Sequence, residues 1–416
     1  MRDGWIERSL AELLSASIGG VWGDEPGVGE VDTLVYRQTD FTRGGVLRRP
    51  ADAVRSVSLR QQESRRLVPG DVLMQKSAGT PTLPGRVVAV PSDIEDGAIF
   101  SNFVQLLRAD PAVCSPSFLF LILSWLHDRG VAFRYQRGTN IRNLDLNQYL
   151  ATMVEVPPLS EQRRIVDLIT ALDESIAAAD VLAGRGRASR AALLATLLSG
   201  GSAIWSDTTL GEVSQVIVGP AFQSEIFRAS DSGVPIVRGM NIGPRGLRWE
   251  ETFFWPEEDL ARYERFLLAP GDICVAMDAT FTSDGEIRMG VVGTSDIPAL
   301  VNQRVARVRS NGACLPEFLE LQLGSAAAAV HLSDRQTGAF APHISGRDLI
   351  SMPVFLPPLA EQRRIVDIIT AVDGAISAAA SVADRGREAR SALLSDLLSG
   401  EHEIPESYDR LLEGVS

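Results

Sequence analysis

The sequence predicts an α+β protein with a pseudo-two-fold internal repeat. Two α/β blocks, 1–156 and 201–356, alternate with two long helices, 157–200 and 357–400, and 401–416 forms a C-terminal tail. Three observations predict it. Pro157-Pro158-Leu159-Ser160-Glu161-Gln162-Arg163-Arg164-Ile165-Val166-Asp167 recurs 200 residues later as Pro357-Pro358-Leu359-Ala360-Glu361-Gln362-Arg363-Arg364-Ile365-Val366-Asp367, and 15 of 20 positions match over 157–176 and 357–376. A helical apolar period follows each copy. Each block also carries a Pro-Gly-Asp turn feeding a β-branched run, at Pro69-Gly70-Asp71 and Pro270-Gly271-Asp272. A repeat this long is no solenoid, whose units run about 20–50 residues.

The first block opens on Trp5-Ile6-Glu7-Arg8-Ser9-Leu10, which parallels Trp205-Ser206-Asp207-Thr208-Thr209-Leu210 in the second. Val72 and Ile273 begin strands after the shared turn, and Val87-Val88-Ala89-Val90 and Gly290-Val291-Val292-Gly293 read as the strands paired with them. Short apolar helices begin near Ser117-Phe118-Leu119 and Glu317-Phe318-Leu319. Between these landmarks the blocks diverge, as in Lys76-Ser77-Ala78-Gly79-Thr80 against Ala276-Met277-Asp278-Ala279-Thr280.

In the repeated segment Pro157-Pro158 blocks helix before it, and Glu161 or Glu361 suits a helical first turn. Ile165, Leu168, Leu172, Ile176 and Ala179 mark one apolar face, repeated by Ile365, Ile368, Val372, Ile376 and Ala379. Leu193, Leu194, Leu197 and Leu198 continue it, and Gly200 is a helix stop. Gly184 and Gly186, each costing about 1 kcal/mol in a helix, make a weak point, so either one long helix or two joined by a turn fits. Forty helical residues would span roughly 60 Å. Two such stripes would pack antiparallel as a coiled coil.

Net charge is −13, unevenly spread: −1 over 1–156, zero over 157–200, −7 over 201–356 and −5 over 357–416. Lys76 is the only lysine, so nearly every cation is an arginine fork suited to guanine edges and phosphates. The acidity suits a subunit that shares DNA contacts with a more basic partner. Cys114, Cys274 and Cys314 form no metal pair and read as core residues, and the four histidines are scattered, so no metal site is expected. No signal peptide and no membrane span are expected, which points to a cytoplasmic location.

The Pro-Pro-Leu-(Ser/Ala)-Glu-Gln-Arg-Arg-Ile-Val segment, the later Asp173 or Asp373, and the ending Leu197-Leu198-Ser199-Gly200 or Leu397-Leu398-Ser399-Gly400 resemble the specificity subunits of Type I restriction–modification systems. The resemblance covers the whole chain. It implies that each block is a target recognition domain reading one half of a bipartite DNA site, with the helices as spacer. It also implies a chain without chemistry of its own, which recruits two adenine-methylating modification subunits and, in the full enzyme, restriction subunits. S-adenosylmethionine, ATP and Mg would then belong to those partners.

The residues agree with that division of labour. The only Pro-Pro pairs lack the polar residue and the aromatic that grip a flipped adenine in a methyltransferase loop. Gln75 stands where a phosphate-binding loop before Lys76-Ser77 needs glycine. Asp71 with Lys76 lacks the second acid of a nuclease site.

Base and phosphate contacts need donors on loops. In the first block these are Arg37, Gln38, Thr39 and Arg43, then Lys76, Ser77 and Thr80, then Arg134, Arg137, Thr139, Asn140 and Arg142. In the second they are Arg238, Asn241, Arg245 and Arg248, then Thr280 and Ser283, then Arg304, and finally Arg335, Gln336 and Thr337. Glu161, Gln162, Arg163 and Arg164, repeated as Glu361, Gln362, Arg363 and Arg364, are candidates for docking two identical partners. The rival readings are a two-domain coiled-coil scaffold binding protein ligands, an inactive orphan specificity subunit, and a self-contained methyltransferase–nuclease.

Overall fold

The computed structural model describes residues 4–42, 44–199, 205–227, 233–243, 246–338, 342–405 and 407–408. Two compact units emerge. One joins the chain up to Ala179 with Ser381 onward, and the other runs from Asp180 to Ala380. Each long helix therefore contributes one half to each unit.

In the first unit a four-stranded antiparallel sheet runs in the order Leu14–Gly19, Val104–Ala109, Val72–Gln75, Val87–Ala89. The second unit repeats it with Ser214–Val218, Val305–Ser310, Ile273–Ala276 and Met289–Val291. A three-stranded sheet accompanies each. Val31–Tyr36 pairs parallel with Ile99–Phe100 in the first unit, and Val234–Val237 pairs parallel with Leu300–Val301 in the second. The Pro-Gly-Asp turns do start strands. Gly70 and Gly271 sit at φ +87° and +86°, where glycine carries no Cβ penalty. The aspartate closes its own turn, accepting from Val68 N at 2.9 Å or Ala269 N at 2.7 Å. Each aspartate, 1% exposed, also takes a bidentate grip from Arg108 or Arg309 on the neighbouring strand. Asp71 is thus consumed by the fold.

Both long helices are continuous, Leu159–Leu198 and Leu359–Ser399. Their buried stripe differs by one residue from the expectation. Ile169 and Ile369 are buried where Leu168 and Ile368 are only partly so. The line 165, 169, 172, 176, 179, 183, 186, 190, buried or half-buried throughout, steps by 4 and 3 alternately, the 3.5-residue seam of a coiled coil rather than the 3.6 of a lone helix. In the first unit Asp173 meets Arg390 through two hydrogen bonds of 2.5 and 3.0 Å. In the second, Asp373 meets Arg190 the same way. Rising numbers on one helix meet falling numbers on the other, so the halves run antiparallel.

Gly186 is part of the packing rather than a break. A Cβ there would lie 2.7 Å from Ile376 Cγ1, and one on Gly386 would lie 2.7 Å from Ile176 Cγ1. The seam ends inside the domain cores. Ile165, Ile169, Leu394, Leu397 and Leu398 join the first, around Phe118, Leu119 and Tyr149. Leu194, Leu198, Ile365 and Ile369 join the second, around Phe318 and Leu319. The helix Leu359–Ser399 is long and apolar enough to cross a membrane by length and composition alone. Only 17% of its most apolar window is buried.

Candidate nucleic-acid interface

In the first unit the backbone gathers the loops that follow three neighbouring strands. Lys76 N donates to Phe103 O at 2.8 Å, and Leu144 N donates to Lys76 O at 2.8 Å. Arg142 and Asn143 pair with Ala78 and Ser77 as short antiparallel strands, and Arg86 Nη2 donates to Gln38 O at 2.9 Å. Residues 37–39, 76–80, 101–103 and 136–144 therefore converge. The second unit uses the same bonds. Met277 N donates to Arg304 O at 3.0 Å, Ile344 N to Met277 O at 2.9 Å, and Arg288 Nη2 to Gly239 O. Residues 238–241, 277–283, 302–304, 335–338 and 342–344 converge there.

Several expected contact residues stand exposed in these clusters. Thr39, Thr80, Arg137, Thr139 and Asn140 are exposed in the first unit, and Arg248, Ser283, Arg304, Arg335 and Thr337 in the second. Lys76 is half-buried, has no acidic partner among the described residues, and burial holds its ammonium below the usual lysine range. Arg142, also half-buried, has no hydrogen bond or ion pair there either. Others are partly engaged. Arg37 lies 4.0 Å from Asp40 and 3.9 Å from Asp52, Arg137 lies 2.7 Å from Asp145, and Arg304 lies 3.3 Å from Asp278. Arg238 donates to Glu251 O at 2.8 Å and lies over the Phe253 ring at 4.3 Å, while Arg335 donates to His331 O at 3.0 Å. Gln38 and Gln336 are half-buried at the edges. Arg43 and Arg245 lie outside the described residues.

Three expectations are corrected by burial. Asn241, 1% exposed, accepts from Arg238 N and donates to Arg248 O, holding its own turn. Thr280, fully buried, donates to Met277 O at 3.1 Å. Ser77, 9% exposed, donates to Asn143 Oδ1 at 2.6 Å. Short polar side chains beside a turn are often spent on the backbone nearby. Arg134 does not join the cluster. It lines a separate cavity of about 390 Å³ with Trp125, Arg129, Met153 and Leu398.

The repeated polar segment is also corrected in part. Gln162 and Gln362 are 0% and 1% exposed. Gln162 accepts from Ser115 N at 2.9 Å and donates to Val113 O and Pro157 O. Gln362 accepts from Leu315 N at 2.8 Å and donates to Ala313 O and Pro357 O. They splice helix to domain and have no surface to offer. Glu161 accepts from Trp5 Nε1 at 2.9 Å, and Glu361 pairs with Arg364 at 2.7 Å. Arg163 and Arg363 are exposed, and Arg164 partly so.

Sequence reading missed Ser101-Asn102-Phe103, which stands where the second unit has the Asn302-Gln303-Arg304 it did propose. The signal was available, because both triplets precede the Val104 and Val305 strands at the same repeat position. It also missed Trp22, beside Arg37 and Arg55. Among the described residues no three or more of His, Cys, Asp and Glu group to hold a metal. All three cysteines are buried, and burial pushes the Cys114 and Cys314 thiols up to about 12. The geometry presents donors on loops and no activated nucleophile among them.

Residues 204–381 match the family described as the Type I restriction modification DNA specificity domain. Over that stretch the chain is similar to Type I specificity subunits. It is 25% identical over 280 residues to the Type I restriction enzyme MjaVIII specificity subunit of Methanocaldococcus jannaschii, covering 64% of this chain and 65% of that one. It is 29% identical over 164 residues to the EcoAI specificity subunit of Escherichia coli, covering 39% and 27%. The matches thus span less than two thirds of either relative. Among solved structures, a chain of a type I R-M system studied for its assembly and conformational transition superposes with a TM-score of 0.62 at 20% identity, over 95% and 97% of the two chains. The S subunit from M. genitalium superposes at 0.54 and 16% identity, over 95% and 96%. At those identities the likeness is one of fold.

Proposed function

We propose that this chain is a DNA-reading subunit without catalysis of its own, each unit contacting one half of a bipartite site through its loop cluster. The observation that carries the reading is the pairing of sameness and difference. Identical backbone bonds assemble both clusters, yet their side chains differ: Lys76, Gln38 and Phe103 in one, Met277, Gly239 and Arg304 in the other. A frame repeated with altered donors suits two different base sequences, since phosphate contacts position and base contacts specify. Arg163, Arg164, Arg363 and Arg364, repeated at both helix starts, suit the docking of two like modification subunits. Those partners would hold S-adenosylmethionine and methylate adenine, and restriction subunits would bring ATP and Mg.

The test is single-molecule methylation mapping of DNA from cells with and without this chain, each expressing its modification subunit. A new N6-methyladenine motif with two short halves around a fixed unspecified gap is expected. An assembled complex that leaves no new motif would overturn the reading.

A further inference from the structure

A pocket opens beside the loop cluster of the first unit. Trp22, Arg37, Gln38, Ser101, Asn102 and Phe103 line a cavity of about 250 Å³ where the parallel strands Val31–Tyr36 and Ile99–Phe100 end side by side. Two of its walls are aromatic. The Trp22 ring has the Arg55 guanidinium at 4.4 Å and that of Arg37 at 6.0 Å, and Phe103 is 39% exposed. Two of its polar atoms have no hydrogen-bond partner. Ser101 is 1% exposed, yet its Oγ has no hydrogen-bond partner, and neither has the buried Nε of Arg37. No bond engages the Gln38 side-chain amide among the described residues. A buried hydroxyl without a partner costs free energy unless something else supplies one.

The second unit spends the same position differently. There Phe222 follows the corresponding strand and packs into a core cluster with Trp255 at 4.6 Å and Tyr263 at 5.0 Å, while Arg304 replaces Phe103. At this position the first unit keeps an open aromatic pocket, and the second packs an aromatic core cluster.

We propose that this pocket takes one nucleobase of the bound DNA, rotated out of the stack and laid against Trp22 and Phe103, with its edge met by Ser101 Oγ and the Gln38 amide. The inference rests on the DNA-reading function proposed above. The cavity is smaller than the roughly 300–1,000 Å³ of sites that enclose a whole small molecule, so it suits a single ring system entering from a strand outside. Aromatic walls stack on any base, and donors and acceptors at the rim choose among them. Lys76, tied by its backbone to Phe103 and without an acidic partner among the described residues, offers a cation to a flanking phosphate, whereas Arg55 over Trp22 is paired with Glu25. Extruding a base costs stacking and pairing, which the pocket must return. The base held here then becomes a position where discrimination is strong.

The test uses the complete complex with its modification subunits and duplexes of the mapped motif carrying 5-iodouracil, one substituted position at a time, in both halves. One position in one half is expected to photocrosslink to Trp22 or Phe103. An abasic residue at that position should bind the wild type at least as tightly as the intact site. Phe103→Ala, which removes an exposed ring, and Ser101→Ala, which removes only the orphaned hydroxyl, should each weaken binding to the motif about tenfold or more without lowering the melting temperature. Wild-type specificity with no crosslink, or with both variants binding at wild-type strength, overturns the pocket and leaves the DNA-reading function standing. A wild-type complex without any sequence preference overturns both.

Discussion

Gln162 and Gln362 show why a residue's type does not reveal its use. Both sit in a charged, repeated segment, between an acid and two arginines, where a polar docking face is the natural reading. The fold instead turns each amide inward, where one carbonyl accepts a backbone N–H and one NH2 serves two backbone carbonyls. Asn241 and Thr280 are spent in the same way, whereas their neighbours Arg248 and Ser283 reach solvent. His127 carries a prediction at this scale. Its Nδ1 is buried without a partner, and burial holds its pKa below 6.5. The unfolded chain therefore takes up a proton near pH 6.5 while the folded chain resists. Stability is full above that pH and declines as pH falls through 6.5 toward the lower folded value. Thermal melting of the chain should drop between pH 7 and pH 5.5, and His127→Gln should flatten the slope. An unchanged slope in the variant would remove His127 as the cause.

Among the elements, the long helices are the most legible in sequence, because a strict repeat and an apolar stripe are local signals. The stripe was nonetheless placed one residue off at Leu168, since a straight helix of 3.6 residues per turn and a supercoiled one of 3.5 choose different members after the first turn. The two glycines of the first helix separate by the same logic. Gly186 lies against Ile376, but nothing lies within 4 Å of a Cβ built on Gly184. Gly184→Ala should raise stability by about 0.5–1 kcal/mol through helix propensity. Gly186→Val should lower it by about 1–3 kcal/mol through overpacking. Denaturant midpoints of the two variants check the pair, and equal effects of one sign would refute the packing argument.

For the whole molecule, charge sets the expectation. A chain of net charge −13 with one lysine gathers few phosphates unaided. Its own DNA affinity should fall only shallowly with salt, whereas the complex with modification subunits should show a steeper logarithmic slope. Lys76→Ala should reduce the slope of the complex by about 1. Titrations from 50 to 300 mM salt measure both slopes. A chain that alone matches the slope of the complex would show that it carries the phosphate contacts itself.

The repeat, the α+β class, the helix starts after Pro157-Pro158 and Pro357-Pro358, and the strands after each Pro-Gly-Asp are legible along the chain. All of these are written in local spacing or in self-similarity. Folding alone sets which donors face outward and that Trp22 stands beside Ser101. Those relations join residues dozens of positions apart through strand pairing, and no periodicity along the chain encodes which loop ends meet.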